Sequence, residues 1–280
     1  MTYRPTVRGR RLARELRRLR ERQGLTLQDV ADRLGWSRAT VSRLETGQTR
    51  PRDVAEILDL YGVTSPERDA LLTLSREARQ MGWWTAYVDV FSGSYVGLED
   101  ESSEIRTWDA QLVHGLLQTE DYARAVITAG RFLPSQADVD RRILARKQRQ
   151  ALLERSDAPH LHAILDEGAV RRPIGGDAVM RDQLVSLVDA AERENITLQV
   201  MPLARGAHAG LDGRFTILSF PDPADPDIAY VEGTMGDVYI ESAEAITQHR
   251  NRFERIIDEA LSPEESVRLI AEAAKEQVRG

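Results

Sequence analysis

The side chains near the amino terminus that could do chemistry stand together between residues 38 and 43. Their outward positions are Arg38, Ala39, Thr40, Ser42 and Arg43. Val41 and Leu44 have the spacing of a buried helical face, which leaves those positions on the outer face. A guanidinium fork matches guanine O6 and N7, a hydroxyl can bond to a base or a phosphate, and an alanine methyl can touch the methyl of thymine. The pattern predicts a short helix that reads bases in the major groove of DNA.

Two helices joined by a tight turn are needed to present this face. Thr26 has the position of an N-cap for a first helix that runs to Leu34, and Gly35 breaks that helix. Ser37 then caps the second helix, which closes at Gly47. The spacing indicates a helix-turn-helix whose first helix crosses the DNA backbone while the second lies in the groove. A helical hairpin inside an ordinary core is the alternative interpretation.

Polar side chains around the helix pair are predicted to contact phosphates. They are Thr26, Gln28, Ser37, Thr46, Arg50 and Arg52. Such contacts position a domain on DNA without reading its sequence. An Arg-rich helix over residues 8–23 precedes the pair, and its outward arginines are Arg10, Arg14, Arg17 and Arg18. We expect at most one or two of them to approach phosphate, because a solvated basic face explains them equally well.

The charge of the chain is distributed unevenly. Its 280 residues carry a net charge of −7, with 41% hydrophobic and 30% charged residues. Residues 1–52 hold 14 Arg or Lys against 5 Asp or Glu, whereas the other 228 residues hold 24 against 40, so that the two charges are +9 and −16. This asymmetry predicts a basic nucleic-acid module joined to an acidic body.

Membrane and disulfide-bonded classes of protein are not expected. No run approaches about 18 consecutive apolar residues, and no apolar segment follows the basic start, so that neither a membrane span nor a secretory signal is predicted. The chain has no Cys, which removes disulfides, thiolate metal sites and cysteine nucleophiles. We expect a cytoplasmic protein, associated with the nucleoid when it is bound to DNA, with no membrane partner.

The run ADRLGWSRATVSRLETGQTRP resembles the XRE, or Cro/C1-repressor, family of helix-turn-helix domains. The positions that match the pattern of that family are Ala31, Gly35, Ser37, Val41, Ser42, Glu45, Gly47 and Pro51. Members commonly have Gln at the first position of the leading helix, where it touches phosphate and the recognition helix. This sequence has Leu27 there and Gln28 one place later. The resemblance implies a DNA-binding domain with a loop that lies along the phosphates.

Five amphipathic helices are predicted within residues 1–80, which form the helix-turn-helix domain. Residues 81–98 concentrate aromatic side chains and are interpreted as the joint between two domains, with an aromatic cage for a ligand as the alternative. These aromatic residues are Trp83, Trp84, Tyr87, Phe91 and Tyr95.

Residues 99–280 mix helical and strand patterns. N-caps and amphipathic spacing favour helices over residues 119–130, 136–155, 177–194, 243–260 and 267–278. Apolar and alternating runs favour strands over residues 160–165, 196–203, 214–220, 227–232 and 237–240. The predicted fold class is therefore an all-α five-helix DNA-binding domain followed by an α+β domain with a small sheet.

No arrangement in the second domain predicts catalysis. His160 and His162 point the same way on a strand and would supply half of a metal site, but a third ligand is not apparent. The glycine-rich segment 206–213 follows neither the dinucleotide-binding nor the P-loop spacing, and no G-x-S-x-G nucleophile motif is present. We predict no catalytic residue, no metal and no cofactor, and an enzyme is the least favoured interpretation.

A second resemblance covers most of residues 95–275. The segments LVHGLLQTEDYARA, LDEGAVRRPIGG and QLVSLVDAAERENITLQVMPLARGAHAGLDGRFTILSF are similar to the C-terminal domain of the WhiJ-like, antitoxin-like regulators of actinobacteria. The resemblance implies a transcriptional regulator that acts with a small BldB-like or similar partner protein. The candidate ligand or partner residues stand out by the same match: Gly115, Leu116, Leu117, Gln118, Thr119 and His208. By their residue types alone, these stretches fit a buried turn and a tight strand connection equally well.

Two functions stay open from the sequence. The first is a sequence-specific transcriptional regulator that binds double-stranded DNA and whose C-terminal domain receives a protein or small-molecule signal. One helix-turn-helix covers only a few base pairs, so we expect a homodimer on a near-palindromic operator. The second is an antitoxin-like protein that sequesters a partner and binds DNA to regulate its own gene, for which the acidic body favours a basic partner.

Overall fold

The structure, a computed structural model, describes residues 6–47, 50–78, 83–87, 90, 95–130, 135–233 and 236–277. It divides into two compact units, Met1–Glu101 and Ser102–Gly280. Each unit has its own hydrophobic core. Within the described ranges, no helix has the length and apolar character that crossing a membrane requires.

The first unit is helical. Its α-helices are α1 (Val7–Arg22), α2 (Leu27–Leu34), α3 (Arg38–Leu44), α4 (Pro51–Leu60), α5 (Glu67–Glu77) and α6 (Tyr95–Asp100). The predicted count of five is not exact for this unit, because a 3-10 helix at Trp83–Tyr87 and α6 follow α5 within it. Helix α6 has six residues with Gly97 among them, which gives too little periodicity to reveal a helix in the sequence.

The aromatic residues of the predicted joint pack on one another where the structure describes them. The ring of Trp83 meets those of Trp84 and Tyr87 edge to face, with centroids 6.3 and 6.1 Å apart. A Cβ atom at Gly97 would lie 3.1 Å from the Trp84 ring, so the indole packs against the backbone of α6. Phe91 lies outside the described residues. These contacts agree with packing and form no open cage among the described rings.

Local signals set both ends of α2 and the start of α3 as predicted, whereas α3 ends at Leu44, ahead of the predicted Gly47. Thr26 and Asp29 form a reciprocal capping box at the start of α2. Gly35 ends α2 with φ at +67°, a left-handed conformation that favours glycine. The Ser37 hydroxyl accepts a hydrogen bond from the Thr40 backbone N–H and caps α3.

The second unit is built on a six-stranded mixed sheet. Its strands are β1 (Glu104–Asp109), β2 (His160–Asp166), β3 (Ile196–Met201), β4 (Phe215–Ser219), β5 (Ile228–Gly233) and β6 (Gly236–Ile240). They lie in the order β3-β2-β1-β4-β5-β6. The β3-β2 and β2-β1 pairs are parallel, and the other pairs are antiparallel. The α+β prediction is thus confirmed for this unit, with one strand more than predicted.

Strand β1 is the one that the sequence does not predict, although the sheet changes there from parallel to antiparallel pairing. Ile105 and Trp108 are three residues apart and give no alternation of period two. Thr107 and Asp109 are buried instead. The Thr107 hydroxyl donates to Asp109 Oδ2 at 2.9 Å and lies 3.1 Å from the Thr216 hydroxyl. Polar residues fit this central strand because they bond to one another.

Helices connect and cover the strands. They are α7 (Glu120–Thr128), α8 (Gln136–Gln150), α9 (Glu167–Arg171), α10 (Asp177–Ala190), α11 (Ala243–Glu259) and α12 (Pro263–Glu276). The short α9 is not predicted by the sequence. Helix α8 ends at Gln150 rather than at 155 and continues as a 3-10 turn. Helix α12 begins earlier than predicted, at Pro263, because Ser262 and Glu265 form a capping box.

Two loops lie at the end of the sheet where β1 and β2 finish and β4 begins. The parallel strands β1 and β2 end there at Asp109 and Asp166, and the antiparallel β4 begins there at Phe215, opposite Trp108. The Trp108 Nε1–H donates to the carbonyl of Gly210 at 2.8 Å. The loops over residues 110–119 and 202–214 therefore meet at this edge.

Candidate nucleic-acid interface

Helix α3 is fixed by its apolar side. Val41 and Leu44 are buried in the core of the first unit, together with Val30 and Ala31 of α2. The arrangement leaves the amino-terminal turn of α3 at the surface. This is the placement that a major-groove helix requires, because its first residues reach the base edges.

The predicted base-reading residues share the outer face of α3. Arg38, Ala39 and Arg43 are exposed, while Thr40 and Ser42 are half-buried. Arg43 Nη2 donates to Thr40 Oγ1 at 3.2 Å, so the guanidinium group is held beside its own helix. Neither Arg38 nor Arg43 faces a carboxylate partner among the described residues. Both charges are therefore available to a ligand from outside.

Several predicted phosphate ligands already make hydrogen bonds within their own helix or turn. The Thr26 hydroxyl donates to Asp29 Oδ2 at 2.7 Å, and Gln28 Nε2 donates to Asp32 Oδ1 at 2.7 Å. The Thr46 hydroxyl donates to the carbonyl of Arg43 at 3.0 Å. Each would have to exchange that bond for a phosphate oxygen.

The two arginines that follow α3 differ from each other. Arg52 Nε donates to Glu56 Oε1 at 3.1 Å, one turn along α4. Arg50, exposed at the start of α4, makes no ion pair with any described residue. Ser37 is exposed as well, but its hydroxyl caps α3. Arg50 is therefore the phosphate candidate with the most available charge. Gln48 and Thr49 of the same loop lie outside the described residues.

An ion pair that the sequence does not predict ties α3 to α1. Arg20 Nε and Nη2 donate to the two Glu45 oxygens at 2.7 and 2.9 Å, and Nη1 donates to the carbonyl of Leu25 at 2.7 Å. The side chains of Arg20 and Glu45 are 11% and 7% exposed. The hydrogen bonds that Arg20 donates to the Glu45 carboxylate raise the pKa of Arg20. Glu45 matches the XRE pattern, which marks the position as important but does not name its partner.

Two other arginines of α1, Arg17 and Arg18, form exposed ion pairs. Arg17 Nε lies 2.9 Å from Glu21 Oε1, and Arg18 Nη2 lies 2.8 and 3.1 Å from carboxylate oxygens of Glu15 and Glu67. For Arg17 and Arg18 the geometry thus agrees with a solvated basic face rather than with free phosphate ligands.

The family-matched residues of the second unit are built into its interior. Residues Gly115–Leu117 form a 3-10 turn, in which Leu116 and Leu117 are buried. Buried Gln118 donates through Nε2 to the carbonyl of Val113 at 2.7 Å. The Thr119 hydroxyl caps α7, and the Thr119 backbone N–H donates to Gln183 Oε1 at 2.7 Å. The segment is a buried turn, with little surface for a protein partner.

His208 has a structural position in its loop. Its Nδ1 accepts a hydrogen bond from the Gly210 N–H at 3.1 Å, and its ring lies edge to face on Trp108, with centroids 5.2 Å apart. A Cβ atom at Gly210 would lie 2.5 Å from the Trp108 ring, so only glycine lets the loop pass this closely. The strand-connection interpretation accounts for both residues.

The side chains of His160 and His162 contact polar side chains of the neighbouring strand β3. His160 Nε2 lies 3.2 Å from the Thr197 hydroxyl, and His162 Nε2 lies 2.7 Å from Gln199 Oε1. Burial lowers the pKa of His162 and favours its neutral form. No group of three or more metal-ligating side chains occurs in the part of the chain that the structure describes.

The comparisons with known proteins divide the chain in a similar way. Residues 11–71 match the model of a helix-turn-helix domain, which supports a DNA-binding regulator. Residues 92–272, well over half of the chain, match the model described as a domain of unknown function, DUF5753. No curated protein and no solved structure matches the chain. The chain thus joins a helix-turn-helix domain to a second domain, and it belongs to the DUF5753 family.

Proposed function

We propose that the chain is a sequence-specific transcriptional regulator that inserts α3 into the major groove of double-stranded DNA. The observation that carries this proposal is the outer face of α3, where Arg38 and Arg43 lack carboxylate partners among the described residues. The base-reading set consists of Arg38, Ala39, Thr40, Ser42 and Arg43. A bidentate contact from arginine to guanine contributes about 1–3 kcal/mol of discrimination, enough for a preference at each such position.

Phosphate contacts are proposed to hold this helix in register. Arg50 leads this set because its charge is free of described ion pairs. The other members are Thr26, Gln28, Ser37, Thr46 and Arg52. The acidic balance of residues 53–280 should repel the DNA backbone, so that binding is confined to the basic residues 1–52.

A homodimer on a near-palindromic operator is proposed because one α3 spans only a few base pairs. Two half-sites about one helical turn apart double the number of positions read. The protein would then be cytoplasmic and associated with the nucleoid when bound.

The second unit is proposed to receive a protein or small-molecule signal. The resemblance to WhiJ-like regulators of actinobacteria supports this role and suggests a small BldB-like partner protein. The antitoxin-like function is the alternative, and the acidic balance of the second unit is what favours it, since a basic partner would complement that charge.

One experiment tests these proposals together. Bound DNA is mapped genome-wide for the full chain, and the proteins that co-purify from the same preparation are identified. We expect a recurring near-palindromic sequence that the purified chain binds at least 1,000-fold more tightly than a scrambled duplex at the same salt concentration. Equal affinity for both duplexes would overturn the proposal that the chain is a sequence-specific regulator. A stoichiometric small partner whose removal leaves operator binding unchanged would favour the antitoxin-like alternative.

A further inference from the structure

A buried histidine without hydrogen-bond partners lies at the edge of the sheet where β1 ends. The His114 side chain is 1% exposed. Among the described residues, no group bonds to either of its ring nitrogens. A neutral imidazole has one N–H donor and one acceptor nitrogen, and burying both without partners is unfavourable. Such groups persist chiefly where a site has a use for them.

Arginines of α8 approach the same point. The Nη1 atoms of Arg149 and Arg146 lie 3.1 and 3.5 Å from the position that a Cβ atom at Gly115 would occupy. Glycine at 115 thus leaves room for these guanidinium groups beside the backbone that follows His114.

A third arginine faces the site from β4. Arg214 Nη2 lies 3.4 Å from Asp109 Oδ1 at the end of β1, and Arg214 Nη1 lies 2.7 Å from Glu232 Oε2. Burial and the charges of Arg149, Arg214 and Arg146 hold the pKa of His114 well below its ordinary value. The ring is thus neutral near three guanidinium groups, of which those of Arg149 and Arg214 also interact with the buried Asp109 carboxylate.

The loop that carries His114 is held rigidly. Gln150 Nε2 donates to the carbonyls of Gly115 and Gln118 at 3.1 and 2.6 Å, and Arg146 donates to Gln118 Oε1. From α10, Gln183 Nε2 donates to the carbonyl of Leu117 at 2.8 Å. A ligand that binds here meets groups already in position, which reduces the entropy lost on binding.

We propose that His114, Arg146 and Arg149 form a binding site for a small oxyanion, a carboxylate or a phosphate, at the carboxyl end of β1. Guanidinium groups match both kinds of anion with paired hydrogen bonds, and the imidazole N–H adds one more donor. The turn that follows His114 is buried at Leu116, Leu117 and Gln118, which limits the site to a small anion. The inference rests on the proposed function only in taking this anion as the signal of the second unit.

The test uses the full chain and two probes, inorganic phosphate and succinate, in titration calorimetry at constant ionic strength. We expect saturable binding of one probe, which identifies the class of anion. Arg149→Gln should weaken that binding at least tenfold, because a guanidinium pair is lost. His114→Gln should weaken it less, and circular dichroism verifies that both variants fold.

Arg142→Gln is the matched control, since Arg142 is exposed on the same helix and faces no described partner. It should bind the probe as the unchanged chain does. Absence of binding by both probes, or equal binding by the Arg149 and Arg142 variants, would overturn the inference. Operator affinity is measured on the same samples. Operator binding without anion binding refutes only the anion site, and the reverse result refutes only the regulator.

Discussion

Two arginine-bearing helices of the first unit place their charges differently. On α1, Arg17 and Arg18 lie within 3.1 Å of carboxylate oxygens, and Arg20 forms a nearly buried pair with Glu45. On α3, Arg38 and Arg43 face no carboxylate in the described structure. The net charge of residues 1–52 counts all of these arginines alike. The comparison teaches that the positions of carboxylates, rather than the number of arginines, decide which charges are available to DNA.

The largest effect is expected from Glu45→Gln. The substitution leaves the Arg20 guanidinium nearly buried, with only the exposed Glu21 carboxylate 3.7 Å away as a counter-charge. Removing one partner of a buried pair costs about 3–5 kcal/mol. We expect the free energy of unfolding of the first unit to fall by about 3 kcal/mol in urea denaturation. Glu21→Gln, which removes the exposed partner of Arg17 and keeps the pair of Arg20 with Glu45, should lower the free energy of unfolding far less. Equal losses of unfolding free energy in the two variants would show that the nearly buried ion pair of α1 stabilises the unit no more than the exposed one.

Arg38→Ala and Arg43→Ala should have the second-largest effect, on DNA binding rather than on the free energy of unfolding. Each removes a guanidinium group that can read guanine, so the preference for operator over scrambled duplex should drop by about 1–3 kcal/mol per substitution. Competition binding at fixed salt measures this preference. If it stayed intact in both variants, α3 would not be the reading helix.

Arg50→Ala should weaken binding to operator and scrambled DNA alike. One lost phosphate contact lowers the slope of log affinity against log salt by about 0.9. Titrations at four salt concentrations determine that slope. A selective loss on the operator would instead assign base reading to Arg50.

Arg17→Ala should have the smallest effect. An exposed ion pair one helical turn apart contributes little to stability, and its loss should leave the salt slope of DNA binding unchanged. A slope lowered as much as in Arg50→Ala would mean that α1 also follows the backbone.

Much of the DNA-binding region can be predicted because its signals are local. Thr26, Gly35 and Ser37 act within three or four residues of their own positions, and the structure gives α2 and α3 the limits that these residues predict. The Arg20 and Glu45 pair could not be predicted, because it joins residues 25 apart that only the packing of α1 against the helix pair brings together.

In the second unit, more of the structure depends on contacts between distant residues and therefore escapes prediction from the sequence. Strand β1 escapes prediction because Thr107 and Asp109 fill buried positions, and their partners lie on another strand. The family match directs attention to Gly115–Leu117 and Gln118, yet these form a buried turn. His114, their neighbour, has no signal of its own in the sequence, since the arginines that surround it come from α8 and β4.

The most direct test of the account compares two double variants of the full chain, Arg38→Ala with Arg43→Ala and Arg17→Ala with Arg18→Ala. Each removes two arginines and so changes the net charge equally. The affinity of each for operator and scrambled duplexes is measured at one salt concentration. The account predicts that the α3 variant loses about 2–6 kcal/mol of operator preference, the sum of two guanine contacts, while the α1 variant keeps the full preference. Equal operator preference in the two variants would contradict it.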